Sequence, residues 1–222
     1  NKGTLFIDIR DAKRKITSKA RVIMPVHYAS SSKGMSAVYA LAQEYKLRVI
    51  EDAAQAFGCE RDGKKIGTSG DVICFSFDGI KNITSGEGGA VLTNDKKVAQ
   101  RLKDDRLLGV QKDTEMRYNG QRSWDFDVYN QGFRFHMSNI NAAIGIEQLK
   151  KIDFFKRKRQ EIAQHYIKNL KKIKYIDFLK IDFLEIIPHM FVVKANKRDE
   201  LKEYLVGNGI ECGIHYKPNH LL

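Results

Sequence analysis

Between residues 22 and 50 the hydrophobic period changes twice. Val22 to Val26 is a short apolar run; Met35 to Tyr45 places Met35, Val38, Tyr39, Leu41, Ala42 and Tyr45 at helical spacing; Leu47 to Ile50 is apolar again. Strand, amphipathic helix and strand in that order make a βαβ unit, whose two strands run parallel and need cover on the faces of their sheet. Further apolar runs at Val72 to Phe77 and Ala90 to Thr93 flank the turn signal Ser85-Gly86-Glu87-Gly88-Gly89, and a helix is expected over Asp95 to Leu108 with Asn94 or Asp95 as its N-cap. The fold class is therefore α/β with a parallel or mixed sheet.

The second half of the chain reads differently. Arg106 to Phe133 is polar, aromatic and weakly periodic, an excursion long enough to be functional or partner-facing. Ser138 starts a helix to about Lys151, and a second helix runs to about Leu170. Apolar pieces at Tyr175 to Leu179 and Met190 to Val193, a helix at Lys197 to Val206 and the stop Gly207-Asn208-Gly209 then point to a smaller α+β domain. The expected division is a large domain over 1–170 and a small C-terminal one over 171–222.

Composition narrows the class. With 222 residues, 42% of them hydrophobic, the chain can bury one sizeable core or two modest ones, so disorder is excluded as a general description. No apolar stretch reaches the length of a membrane span, and Asn1 to Arg10 lacks the apolar region of a secretory signal. Cys59, Cys74 and Cys212 show no metal-ligand spacing and are expected as reduced thiols of a cytoplasmic protein. The formal net charge of +12 raises the question of nucleic acid. Its densest basic run, Lys150 to Lys174, interleaves with Ile152, Phe154, Phe155, Ile162, Tyr166, Ile167 and Leu170, as the wet side of amphipathic helices does. Without a zinc-finger spacing, an RNP-type strand or basic-zipper heptads, no nucleic-acid site is expected.

Three strand ends carry polar groups that a buried strand does not need. Val49-Ile50 runs into Glu51-Asp52 and then Ala53-Ala54-Gln55-Ala56, which puts Asp52 at a carboxyl end of the sheet, where open α/β folds bind ligands; taken alone, the favoured reading is a helix N-cap with Glu51 exposed. Ile73 to Phe77 delivers Ser76 and, five residues on, Lys81, whose default reading is a surface lysine. His27 follows Pro25-Val26 and is either a satisfied core-edge histidine or a site histidine.

In order along the chain, these pieces resemble the DegT/DnrJ/EryC1/StrS sugar aminotransferases. The resemblance rests on Pro25-Val26-His27, Glu51-Asp52-Ala53-Ala54-Gln55-Ala56, Ser76-Phe77 with Lys81-Asn82, Gly86-Glu87-Gly88-Gly89, Gly132-Phe133 leading to Met137-Ser138-Asn139 and Ala142-Ala143-Ile144-Gly145, and His215-Tyr216 with Pro218 and His220. It implies the fold type I of pyridoxal 5'-phosphate (PLP) enzymes, with a mixed, mostly parallel sheet in the large domain. It also implies a homodimer, and transfer of an amino group from glutamate to a nucleotide-linked keto sugar for polysaccharide, glycoprotein or antibiotic sugar synthesis.

Residue by residue, the resemblance makes Lys81 the lysine that forms the internal aldimine and moves the proton, and Asp52 the carboxylate that keeps the ring nitrogen protonated. Gln55 matches a side chain near the ring's phenolic oxygen, Ser76 a hydroxyl donor to the phosphate, and Glu87 to Gly89 a structural loop. His27, His215, Tyr216 and His220 are the implied substrate contacts. Arg134 stands where many members place an asparagine that reaches the partner subunit's phosphate, with His136 as a second candidate; either would make the active site composite. No metal is implied. A dehydratase branch of the family carries histidine where this chain has Lys81, which favours transamination; a catalytically silent binding relative is the alternative from another class. Members are considerably longer, so the chain is expected to begin partway through the large domain and stop just after the His215 motif, with the family's phosphate cup and a ring-covering aromatic outside it.

Overall fold

The protein is described from a computed structural model over residues 3–111, 116, 119–121, 126–128 and 130–216. Helix α1 (Ile9–Lys15) precedes strand β1 (Val22–Ile23), helix α2 (Met35–Tyr45) and strand β2 (Arg48–Asp52). A small hairpin, β3 (Glu60–Arg61) and β4 (Lys64–Lys65), leads to β5 (Val72–Ser76), β6 (Gly89–Thr93) and α3 (Lys96–Asp105). After the excursion come α4 (Asn139–Leu149), α5 (Ile152–Leu170), the hairpin strands β7 (Ile176–Phe178) and β8 (Val193–Ala195), and α6 (Arg198–Gly207). The main sheet has the order β1-β2-β5-β6, in which β1, β2 and β5 are parallel and β6 is antiparallel to β5. It is the mixed, mostly parallel sheet of the α/β expectation.

Local chemistry explains most boundaries. Helix α2 buries Met35, Val38, Leu41 and Ala42 on one face against Phe6, Ile23 and Val49, and ends where Lys46 turns left-handed and its N–H bonds back to Ala42 and Gln43. Asp95 caps α3 by accepting from the N–H groups of Lys97 and Val98 at 2.9 and 3.2 Å, and Ser138 caps α4 through Asn141 at 3.1 Å. Helix α3 stops at Asp105, short of the expected Leu108, because the backbone from Arg106 to Leu108 pairs instead with residues 133–135: Leu108 N–H donates to Phe133 O, and Phe135 N–H to Arg106 O. The last strand lies at Val193–Ala195, three residues beyond the expected start at Met190, because it registers on β7 through Phe178↔Val193 and Ile176↔Ala195. Phe191 meanwhile packs among Tyr166, Phe178 and Phe183.

Two buried clusters hold the layers. One joins α1 and α2 to β1 and β2. The other sets Ala53, Ala56, Ile73 and Phe75 against Ala163 of α5 and Phe183, Ile186 and Ile187. Residues beyond 170 thus contribute to the core under the main sheet, in addition to forming the β7–β8 hairpin and α6.

The alternation of β2 has a consequence for its two carboxylates. Side chains on a strand point to opposite faces in turn, so Glu51 shares the buried face of Val49 while Asp52 lies with Ile50 on the other, half-buried face. Glu51 is 0% exposed and accepts from three donors: Tyr39 Oη at 2.6 Å, His27 Nε2 at 2.8 Å and Arg61 Nη1 at 2.8 Å. Gly70, at φ +137°, makes room for them, since a Cβ there would stand 2.7 Å from Glu51 Oε1 and 2.8 Å from Tyr39 Oη. Burial works against ionisation of Glu51, but the hydrogen bonds from His27, Arg61 and Tyr39 and the Arg61 charge outweigh it and bring its pKa down to about 2.

A pH dependence of stability is expected from this. The carboxyl titrates at about 2 in the folded chain against 4.5 ordinarily, so its stabilisation is complete above pH 4.5 and is lost as the pH falls toward 2, amounting to about 3 kcal/mol. Glu51→Gln should lose about that much at pH 7, because it strands the buried charge and donors, and its stability should then fall less steeply in acid than the wild type's. Urea unfolding of both proteins between pH 2 and 7 checks this; parallel profiles would show that Glu51 is not the group responsible.

Candidate active site

The parallel strands β2 and β5 deliver two polar side chains to the same end and face of the sheet. Asp52 pairs with Cys74, and Ser76 follows two residues on, so Asp52, Cys74 and Ser76 line one side at the carboxyl edge. Burial first, and then the nearby Asp52 charge, push the Cys74 thiol up. Asp52 Oδ1 accepts from the N–H of Ala54 at 3.1 Å. The same residue ties the strand ends through its backbone, with Asp52 N–H to Pro25 O and His27 N–H to Asp52 O, both 2.9 Å. Asp52 is thus a turn-forming carboxylate rather than a helix cap, and it has no ion-pair partner among the described residues.

Beyond Asp52 the chain turns through Ala53 and Ala56, both fully buried, and Gln55. Gln55 Oε1 is taken by the N–H of Ala29 at 2.7 Å, and its backbone oxygen accepts from Ser30 Oγ at 2.5 Å. The amide nitrogen of Gln55 is therefore the end left to meet a ligand. Ser76 Oγ accepts from Asp78 N–H at 3.3 Å, and Lys81 N–H closes the turn onto Asp78 O at 3.1 Å. Lys81 is half-buried, and its amine makes neither hydrogen bond nor ion pair among the described residues. The loop from Gly86 to Gly89 is held from both sides: Phe77 N–H donates to Gly88 O at 2.8 Å and Asn141 Nδ2 to Glu87 O at 3.0 Å. Gly89 lies so close to β5 that a Cβ would stand 2.6 Å from Phe75 O.

The implied substrate contacts divide. His27 is 0% exposed, with Nε2 on Glu51, so in the described chain it sits in the core and supports the Asp52 strand end. His215 is half-buried, and its carbonyl accepts from Tyr28 Oη at 2.8 Å, which draws the C-terminal segment over residues 27–30. Tyr216 is exposed beside the His215 ring. Pro218 and His220 lie outside the described residues. Arg134 and His136 are exposed on the segment paired with residues 106–108, and no contact joins them to Asp52, Ser76 or Lys81 within the chain.

Sequence reasoning missed His189. The residue follows Pro188, before an apolar run, where nothing in the local pattern marks it. Its Nδ1 is enclosed without a hydrogen-bond partner among the described residues. Burial first, then the charges of Lys81 and Arg159, lower its pKa to about 4, against an opposing effect of Asp78, so the ring is neutral at pH 7. A neutral imidazole from the C-terminal part of the chain, its backbone N–H on Ser30 Oγ, thus lies within the electrostatic reach of the lysine.

The groups present suit PLP by their chemistry. An unpaired carboxylate can hold a protonated ring nitrogen, an unpaired amine can meet an aldehyde, and a strand-end hydroxyl can donate to a phosphate; the first and last end the neighbouring parallel strands β2 and β5, and the amine is on the loop after β5.

Comparison with known proteins agrees with this reading. The chain is 36% identical over 238 aligned positions to the uncharacterized protein MJ1066 of Methanocaldococcus jannaschii, covering 100% of this chain and 59% of that one. Among solved structures it is similar to Helicobacter pylori PseC, an aminotransferase involved in the biosynthesis of pseudoaminic acid (30% identity, TM-score 0.85, covering 96% of this chain and 57% of that one). It is also similar to NtdA of Bacillus subtilis, solved with bound cofactor PMP (27% identity, TM-score 0.84, covering 98% and 48%). The chain therefore spans a little over half the length of MJ1066 and PseC. Since the family's sequence profile matches residues 1–222 throughout, the chain belongs to the DegT/DnrJ/EryC1/StrS aminotransferase family.

Proposed function

We propose that the protein is a PLP-dependent aminotransferase that moves an amino group from glutamate to a nucleotide-linked keto sugar, as part of polysaccharide, glycoprotein or antibiotic sugar synthesis in the cytoplasm. One observation carries the reading: the Asp52 carboxylate at the end of β2 and the Lys81 amine on the loop after the neighbouring parallel strand β5, both without ion-pair partners in the described chain, stand at one end of the sheet. Two opposite charges left unpaired in a half-buried site are costly unless a ligand engages both. PseC, similar over nearly the whole chain, supports the sugar side of the proposal.

When bound, PLP supplies the electron sink that amino-group transfer needs. The protein's part is then divided among named atoms. Asp52 holds the proton on the ring nitrogen, its own position set by Ala54 N–H and by the backbone bonds to Pro25 and His27. Lys81 Nζ takes and returns the proton at the reacting carbon, for which a flexible amine on a short turn is suited. Ser76 Oγ and the Gln55 amide nitrogen orient the phosphate and phenolic oxygen. His215 and Tyr216 face the sugar nucleotide.

We further propose a homodimer with a composite site. Phe126, Val128, Phe133, Phe135 and Ile140 are exposed, Phe135 by 73% and Ile140 by 75%, and Phe133 and Phe135 stack on each other at 5.0 Å; Tyr129 lies outside the described residues. An apolar surface of this size is costly in water and fits a partner subunit. Arg134, between the two stacked rings in sequence, would then present its guanidinium to the other subunit's phosphate.

Borohydride reduction of the PLP-loaded full-length protein, followed by peptide mapping, should place the label on Lys81; a label on another lysine would refute the assignment. Lys81→Ala should abolish turnover while still retaining cofactor. Asp52→Asn keeps the shape and the contact to Ala54, so its melting temperature should stay within a few degrees while the rate falls roughly 10²-fold or more; an unchanged rate would reduce Asp52 to a turn residue.

In sedimentation the full-length protein should run as a dimer. Arg134→Ala should remain dimeric but release cofactor more readily on dialysis. A fully active monomer would end the composite-site proposal.

A further inference from the structure

The segment Ile187-Pro188-His189 is anchored at every backbone polar group it has. Ile187 N–H donates to Cys59 Sγ at 3.2 Å, and Ile187 O accepts from Asn82 Nδ2 at 3.4 Å. Pro188 O and His189 O accept from Arg159 Nη1 at 3.0 and 3.3 Å. His189 N–H donates to Ser30 Oγ at 3.0 Å, and Pro188 has no N–H to place. The anchors come from four separate stretches of chain, and burial and the enclosing hydrogen bonds keep the strap rigid. Burial raises the Cys59 thiol to about 11, so it remains a protonated partner rather than a reactive one.

Asn82 is where this strap meets the site. It is 2% exposed and follows Lys81 directly. Its Nδ2 reaches Phe57 O at 3.0 Å, Gln55 O at 3.3 Å and Ile187 O at 3.4 Å, while Oδ1 has no partner among the described residues. Two amide hydrogens are thus shared among three carbonyls from two segments: the turn that follows Asp52, and the strap that carries His189. No other described side chain of the Lys81 loop is tied to both. The lysine needs a free amine, so apart from its own N–H on Asp78 O the loop is held against the rest of the fold by its neighbour's side chain.

We propose that Asn82 is a positioning residue for Lys81, fixing the lysine loop against the Asp52 turn and the Ile187–His189 strap so that amine and carboxylate keep the separation one cofactor requires. The inference rests on the PLP reading above. A displacement of about 1 Å at a reacting group commonly costs on the order of 10²-fold, so a single buried amide can govern the chemistry without touching it.

The test uses the full-length holoenzyme and its Asn82→Ala and Asn82→Ser variants. Each is loaded with PLP, freed of excess by gel filtration, titrated by absorbance against pH and trapped with borohydride at limiting time. Cofactor content should stay near that of the wild type, since Asp52, Ser76 and Gln55 remain. The fraction trapped on Lys81 should fall about tenfold in Asn82→Ala, its absorbance titration should shift, and Asn82→Ser, which keeps one donor, should recover part of both. Wild-type trapping and an unshifted titration in both variants, with only a lowered melting temperature, would overturn the proposal and leave Asn82 a structural tie. Should Asn82→Ala fail to fold, Asn82→Ser and Ser30→Ala, which frees the strap from another of its anchors, carry the same comparison. Absence of label from Lys81 in the wild type would overturn the cofactor reading and this inference with it; label there with unchanged variants overturns this inference alone.

Discussion

A single buried carboxylate organises the end of the sheet. Glu51 has no exposure to water and is surrounded by Tyr39 from α2, His27 from the end of the first strand and Arg61 from the β3–β4 hairpin. A charge so enclosed is tolerable only with its donors in place, so the helix, the strand end and the hairpin are obliged to converge on it. Asp52 gains its place as a result. Adjacent on the same strand and pointing to the opposite face, it inherits a rigid backbone without sharing the hydrogen bonds, and its carboxylate stays available.

The same separation of roles appears on the lysine side. Lys81 and Asn82 are neighbours in sequence, yet one keeps its nitrogen free while the other gives its own to three carbonyls. Arg159 illustrates the point from the basic helix α5. Most of that helix's charge faces solvent, as its interleaved pattern implied, but Arg159 turns inward and its guanidinium donates to two backbone oxygens of the strap. Its charge, together with that of Lys81, then helps keep His189 neutral. A cation that looks like surface decoration in the sequence thus serves as a clamp and as part of the site's electrostatics.

The apolar segment after residue 125 supplies a different constraint. Phe133 and Phe135 stack on one another and the backbone of residues 133–135 pairs with the end of α3, so this stretch is held in place without being buried. Order without burial leaves the hydrophobic cost uncompensated within the chain, and that imbalance, more than any motif, is the physical argument for a second subunit.

Elements whose stability is local were legible in the sequence. The apolar spacing of Met35 to Tyr45 matched the helix to the residue, Asp95 and Ser138 are the caps their side chains suggested, and the strand ends at Asp52 and Ser76 were visible because polar residues interrupt apolar runs. Helix α1 and the β3–β4 hairpin went unanticipated, being short elements whose places depend on packing and on distant partners. The individual residue roles were least legible where the partner is remote. His27 finds Glu51 24 residues away, Asn82 finds Ile187 105 away and His189 finds Ser30 159 away. Periodicity reports which face of an element avoids water, and motif order reports kinship; neither encodes which distant backbone oxygen a buried donor will meet. The sequence by itself therefore determined the α/β rhythm, while Asp52 and Lys81 stood out only through the order of motifs around them. Tertiary structure alone decided that His27 is core and that His189 is anchored on Ser30, because those outcomes depend on hydrogen bonds closed only when distant stretches of the chain pack together.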